Sequence, residues 1–415
     1  MPGAERRHPA GRAAAPALRP ADGAPVVVVA GALAPYTHVL YEALGQELAR
    51  DLGRPLHVLT CTPRETARQW VIGAPCHYRH EVLPGLRWHR DSVRNLYVNP
   101  AVAGRLRRLE PAALVLNDFS PTMLIAAAVA RGRGIPYGVR TDGVPETDPG
   151  RHSAPHRLLR RAVVSGAAFG LGPSGGSRAV LERYGLASGR FGLAPLFPGW
   201  QPAGEPTADA DRPHDLLFCG MLNEDVKGAR FFTDVALACR AAGRSLSVRV
   251  VGDGPLRDEM RDRLAEGGVA ARFDGFLDQG ALAEAYASAH LFLFPSRGDV
   301  WGVVVQEALQ SGTAVLASPH SGAARDLLAA RGCGLVEPLD VAGWASAVGA
   351  LLDDPGRRAA LRRAGFAALP DYSLERAVRT YGDWLAVVTS AADPGATPVR
   401  LAEVRERAVG HASRC

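Results

Sequence analysis

Short β-branched runs that are apolar at nearly every position recur along this chain, with helix-length segments between them, and this pattern limits the fold more than any other feature. In the first half the runs are VVVVAG from Val26, PLHVLTC from Pro55, ALVLND from Ala113, YGVRTD from Tyr137 and FGLGPS from Phe169. Helical segments such as THVLYEALGQELARDLG, SPTMLIAAAVARGRG and GSRAVLERYG separate them. A strand apolar on both faces must be covered on both, so the alternation implies parallel sheets sandwiched by helices. The pattern lapses at PLFPGWQPAGEPTADADRPH, Pro195 to His214, and then restarts with DLLFCG, LSVRVVG, RFDGF, LFLFPS and AVLAS. Two doubly wound α/β domains joined by one connector follow, with ligands expected beyond the carboxyl ends of the strands, in the cleft between domains.

The predicted boundaries are a tail over 1–24, a first domain over 25–198, a linker over 199–214 and a second domain over 215–370. A C-terminal helix over 371–390 is expected to pack back on the first domain, before a tail over 391–415. The first 24 residues are rich in Pro, Ala and Arg and poor in large apolar residues, so they cannot bury enough surface to order themselves. At 415 residues, 47% hydrophobic and 22% charged, the chain has the balance of a soluble protein. No apolar run reaches the roughly 18 residues of a membrane span. Six scattered cysteines have neither zinc-ligand nor disulfide spacing, which suits a reducing cytoplasm.

Charge is uneven: residues 1–200 hold 25 Arg against 14 Asp and Glu, while residues 201–415 are net acidic. The basic half suits an anionic acceptor or an anionic membrane face, or simply solvated helix faces. Within it, RHSAPHRLLRRAVVSGAAF from Arg151 is a basic amphipathic helix, which either lies on a bilayer or packs its apolar stripe on the sheet. The chain has 47 arginines and a single lysine, Lys227, in LLFCGMLNEDVKGARFF. Random placement among the 48 basic positions would put that lysine at any given site about once in 48.

The most specific segment is FPSRGDVWGVVVQEALQSGTAVLASPHSG, Phe294 to Gly322. A strand leads to a loop carrying Asp299, a helix opens near Trp301 and Gly302, and Glu307 follows on that helix. Free N–H groups at a helix start bind anions, and two carboxylates eight positions apart can accept hydrogen bonds from vicinal hydroxyls. Together these describe a site for a nucleotide sugar; a capping Asp and an exposed Glu are the plainer reading of the pair alone.

With these motifs the chain resembles the retaining glycosyltransferases of the GT-B fold, in particular the large family 4. The matching frame is Pro295, Ser296, Gly302, Glu307, Ala308 and Gly312, with Asp299 at the first acidic position. The resemblance implies that Asp299 contacts the donor sugar's hydroxyls and Glu307 the ribose diol, with backbone amides around Gly302, Val303 and Val304 cradling sugar or phosphate. It places Trp301 on the donor side, and Asp299, Glu307 and Lys227 in the catalytic group. The family's Gly-Arg…Lys-Gly pair for the diphosphate reads Gly220-Met221…Lys227-Gly228 here. Gly252 opens the Gly-Asp-Gly-Pro turn after the next strand, and base contacts through the backbone map to Phe276 and Leu277.

The implied reaction transfers a sugar from a nucleoside diphosphate sugar to an acceptor hydroxyl, serving envelope glycans or specialised metabolites. The donor is a co-substrate, and no cofactor or metal is expected. The only Asp-x-Asp, Asp209 to Asp211, falls in the linker. Met221 in place of Arg removes a charge-assisted contact worth roughly 1.5–3 kcal/mol, and Arg297 is a candidate to compensate. A donor-binding but silent relative is one alternative; a sugar-nucleotide epimerase or another two-domain Rossmann-like enzyme is the second. On the acceptor side, His38, Asp118 and Asp142 follow predicted strands and are candidates to face the cleft, each with helix capping as its alternative.

Overall fold

The structure is a computed structural model that describes residues 23–63, 72–89, 95–200 and 212–392. Most of both expected tails and of the linker, including Asp209 to Asp211, lie outside the described residues. The strands are β1 Val26–Ala30, β2 Leu56–Thr60, β3 Tyr78–Val82, β4 Leu86–His89, β5 Asn95–Val98, β6 Ala113–Asn117, β7 Tyr137–Arg140, β8 Phe169–Gly172 and β9 Phe191–Leu193, then β10 His214–Cys219, β11 Ser247–Val251, β12 Ala270–Gly275, β13 Ala289–Phe294, β14 Ala314–Ala317 and β15 Leu335–Val336. The helices are α1 Pro35–Leu52, α2 Ala101–Leu109, α3 Pro121–Gly132, α4 Ala154–Val164, α5 Gly175–Arg183, α6 Ala229–Ala241, α7 Arg257–Glu266, α8 Gln279–Ala287, α9 Val303–Gln310, α10 Val341–Asp353, α11 Pro355–Ala368 and α12 Leu374–Ala392.

Two parallel sheets result. The first has the order β3, β2, β1, β6, β7, β8, β9 and the second β12, β11, β10, β13, β14, β15. In β1, Val26 and Val28 enter one apolar cluster while Val27 and Val29 enter another on the opposite face. Leu216 and Phe218 of β10 likewise face one cluster and Leu217 the other. Both sheets are therefore buried on two sides, as their uninterrupted apolar runs require.

Several elements were not visible as apolar runs. β3 is the edge strand YRHEV, polar at its three central positions, and β4 with β5 forms a separate antiparallel hairpin. β9 is only three residues long, and the short arginine-rich α2 buries only Val102 and Leu106. His214, expected at the end of the linker, opens β10, and Phe276 lies just past the end of β12.

The basic amphipathic segment forms α4, and its apolar stripe faces inward. Val163 and Val164 are buried, Leu159 packs beside them, and only Leu158 stands free in water. Arg160 is itself buried, 2.7 Å from the Asp148 carboxylate. Most of the apolar stripe of this helix is therefore spent on the core. Among the described residues no helix is long and apolar enough to cross a membrane.

The chain crosses between the sheets twice. The outgoing one follows β9 through Leu196 to Trp200; the return leaves α11 through a 3-10 turn, Leu369–Tyr372, into α12. α12 then lies on the first sheet, where Tyr381, Trp384, Leu385 and Val388 join the cluster under β1 and α1. The Trp384 ring stacks on Phe169 at 5.6 Å and 9°. Gly192 makes this approach possible, since a Cβ there would fall 2.5 Å from the Trp384 indole nitrogen. Trp384→Ala should lower the unfolding free energy by about 3–5 kcal/mol, measured by urea denaturation; a loss under about 1 kcal/mol would mean that α12 contributes little to the first domain.

Candidate active site

Three loops leave the carboxyl ends of β10, β11 and β13 and are joined by backbone contacts. Gly252 has φ of +118°, and a Cβ on it would sit 1.9 Å from the Gly220 carbonyl oxygen. Gly228 has φ of +67°, with its virtual Cβ 2.2 Å from the carbonyl oxygen of Pro295. Only glycine suits both the backbone angle and the space at these two positions. The Ser296 hydroxyl and the Arg297 amide both donate to the Val226 carbonyl, at 2.9 and 2.8 Å. Lys227 and Asp299, 72 positions apart in sequence, are thereby set face to face.

The Lys227 stem lies against Gly220, its Cδ 3.6 Å from where a Cβ would be, and its Nζ is 5.6 Å from the Phe294 ring centroid. Nζ donates to Asp299 Oδ2 at 2.5 Å, and both side chains are about one-fifth exposed. The Lys227 amide donates to Asn223 Oδ1 at 3.0 Å, which fixes the backbone from which the side chain projects. On the other loop, the Asp299 amide donates to the His320 carbonyl at 3.0 Å. Gly302 (φ +91°) precedes α9, whose first amides belong to Val303 and Val304. Unpaired amides at a helix start carry partial positive charge, and here they follow the ion pair by only a few residues.

Glu307 lies on α9 and accepts a hydrogen bond from the Tyr286 hydroxyl at 3.0 Å. Burial pushes its carboxyl above the ordinary glutamate range, while Tyr286 and the nearby Trp200 indole pull the other way. Burial, then the Glu307 charge, pushes the neighbouring Cys219 thiol up to about 12, so it stays a thiol at neutral pH. Tyr286 has no sequence signature, since it stands 21 residues away on α8 and meets Glu307 only through the packing of α8 on α9.

The remaining donor-side residues separate into two groups. Met221 and Phe276 project into solvent, 58% and 83% exposed, and Leu277 packs partly against the core. Arg297 is held by Glu224, with its Nε 2.9 Å from Glu224 Oε1, so it is not an idle cation beside Met221. The Trp301 side chain is 1% exposed, stacks on Tyr372 and donates to Gln306 Oε1 at 2.6 Å. The indole belongs to the core under the loop, which leaves only the backbone of this position to face a ligand.

On the first domain, Asp118 and Asp142 come together at the ends of β6 and β7. Asp118 has φ of +66°, one of two described non-glycine residues with positive φ, and its amide donates to the Arg140 carbonyl at 2.8 Å. Its Oδ1 accepts from the Thr141 hydroxyl at 3.0 Å. The residue is exposed at the strand end, and the surrounding protein, then the Asp142 charge, pushes its carboxyl up. Asp142 pairs with the buried Arg140 at 2.6 Å. His38 is engaged apart from this pair, with its Nδ1 2.8 Å from the Tyr78 hydroxyl. Among the described residues no group of three or more His, Cys, Asp or Glu is gathered to hold a metal ion.

The sequence profile described as Glycosyl transferases group 1 matches residues 213–354. The chain is 28% identical to D-inositol 3-phosphate glycosyltransferase 1 of Catenulispora acidiphila, over 87% of this chain and 97% of that protein. It is 32% identical to phosphatidyl-myo-inositol mannosyltransferase of Mycolicibacterium smegmatis, over 44% of this chain and 45% of that one. In fold it superposes on Anabaena HepE, solved in complex with UDP, with a TM-score of 0.65 at 15% identity, covering 87% of this chain and 99% of HepE. Sucrose-phosphate synthase from Thermosynechococcus elongatus gives a TM-score of 0.61 at 16% identity, covering 87% and 98%. Two parallel sheets with this loop arrangement and these likenesses lead to one assignment: the chain has the GT-B fold, and residues 213–354 form a group 1 glycosyltransferase domain.

Proposed function

We propose that the enzyme moves a sugar from a nucleoside diphosphate sugar to an acceptor hydroxyl, with retention at the anomeric carbon. The observation that carries this reading is the Lys227–Asp299 pair, with Asp299 on the loop that runs directly into the first turn of α9. Lysine is a compact charge on a flexible stem. With a donor bound, Lys227 turns from Asp299 toward the diphosphate, and the Val303 and Val304 amides share the charge that builds up as the glycosidic bond breaks. Asp299 then accepts from the sugar's hydroxyls and Glu307 from the ribose diol. HepE has also been solved with UDP and glucose together, which supports a nucleotide-sugar donor. Attack on the face that the phosphate leaves lets that phosphate take the acceptor proton, so retention needs no separate protein base.

The acceptor hydroxyl lies against Asp118 and Asp142 in this reading, as one edge of a polyhydroxylated ring. The inositol phosphate in the name of the Catenulispora relative, which aligns over most of both chains, supports that class. No cofactor is used, because Lys227 and the helix amides supply the positive charge.

Nucleoside diphosphate release, assayed with UDP-, GDP- and ADP-sugars against inositol phosphates and other polyols, tests the whole reading; no release with any pair defeats it. Lys227→Met should cut turnover about 10²–10³-fold, and Lys227→Arg should fall at least tenfold, because a planar fork cannot follow the leaving phosphate. Turnover after exhaustive EDTA treatment should stay within about twofold of the untreated enzyme, and a loss restored by added divalent cation would show that a metal takes part.

Glu307 adds a pH test. Its folded pKa is raised, so its ionisation opposes folding above the folded value and has no effect below the ordinary carboxylate range. Glu307→Gln should therefore raise Tm at pH 8, and the gain should shrink to nothing as pH falls below about 4.5, while donor KM rises through loss of the ribose contact. A Tm difference independent of pH would show that the carboxyl does not ionise in a buried setting.

A further inference from the structure

Gln306 immediately precedes Glu307 on α9, and its amide is wholly buried. Its Oε1 accepts from the Trp301 indole at 2.6 Å. Its Nε2 donates to the Leu196 carbonyl at 2.9 Å and to the Tyr372 carbonyl at 3.0 Å. Leu196 is on the outgoing crossing between the sheets and Tyr372 is on the return. One turn further along the same face, Gln310 Nε2 donates to the Trp200 carbonyl at 3.1 Å, again on the outgoing crossing.

The position is otherwise one for an aliphatic side chain, since Val305, Ala308 and Leu309 around it all enter an apolar cluster. A primary amide there is the one neutral side chain type that offers an acceptor and two donors in one plane. It uses all three, on the loop that opens the donor helix and on both strands of the hinge. Burying an amide costs free energy unless every bond is made, so this arrangement is rigid: the hinge segments cannot shift against α9 without leaving buried groups unpaired.

We propose that Gln306 is a positioning residue that makes the donor helix and the interdomain hinge one mechanical unit, so that nucleotide bound at α9 sets the orientation of the acceptor domain. The inference rests on the donor reading above and extends it. Contacts farther along the cleft depend on that orientation: Gly175 N donates to Asp326 Oδ2 at 2.7 Å, and Arg325 lies 3.5 Å from Glu146. By linkage, whatever ligand orders α9 orders the hinge by the same free energy.

The test uses the full-length protein with UDP, GDP and ADP as probes. Nucleotide binding is measured by calorimetry, and hydrogen exchange is followed in peptides covering 195–200 and 369–373. In the unmodified protein the nucleotide that binds should slow exchange at least fivefold in both peptides. In Gln306→Leu it should bind within about threefold of the original Kd but leave both peptides unslowed, with transfer kcat down at least tenfold and donor KM little changed. Gln306→Glu keeps the acceptor for Trp301 but loses the donors, and gives the same result if the leucine variant does not fold. Equal slowing in variant and unmodified protein overturns the proposal, and so does joint loss of nucleotide binding and Tm in both variants, which would mark Gln306 as core filling. If an unmodified protein that binds nucleotide shows no slowing at the hinge, the coupling is refuted while the donor reading stands. If it binds none of the three, the donor reading fails and this inference with it.

Discussion

Everything in this molecule depends on parallel strands buried on both faces. A strand such as β1, with valines entering two different apolar clusters, cannot turn back on its neighbour through a tight hairpin. The chain has to cross over through a helix, and it does so repeatedly in each sheet. The consequence is a polarity: every strand ends on the same edge of its sheet, and the loops that follow β10, β11 and β13 meet there. The site is a product of that constraint. No single loop could hold Lys227 and Asp299 together; three loops in backbone contact at Gly252 and Gly228 can.

Electrostatics at the site is economical. One ammonium faces one carboxylate, so the pair is neutral and its mutual desolvation is tolerable without a ligand. The helix start a few residues after Asp299 carries partial positive charge without adding a side chain. Arg297, expected to make up for the arginine missing at Met221, is paired with Glu224, so in the proposed reading the diphosphate charge is left to Lys227 and the amides. On the first domain the carboxylates of Asp118 and Asp142 lie close together, and the buried Arg140 pairs with Asp142.

Much of this was legible from residues alone because it depends on local rules. Period and apolarity mark the buried strands; glycine marks backbone that must turn left-handed or approach closely; the lone lysine among 47 arginines marks a place where shape and flexibility matter as well as charge. Strands that lie at an edge, such as β3, escaped because a polar edge has no apolar run to betray it. The burial of the Trp301 indole was illegible for a related reason: a helix start has an inner and an outer side, and only packing chooses between them.

The sequence by itself determined the two-sheet architecture, the order of the donor loops and the identity of the groups that meet there, since each follows from spacing within one or two elements. Tertiary structure decided what depends on long-range approach. It paired Lys227 with Asp299, gave Glu307 its Tyr286 partner and turned the α4 stripe inward. It also set the Gln306 amide on both hinge segments, 110 positions from one and 66 from the other. Such contacts carry no local period or propensity. They arise only when separate elements are packed, because a hydrogen bond is specified by where two groups end up and not by where they begin.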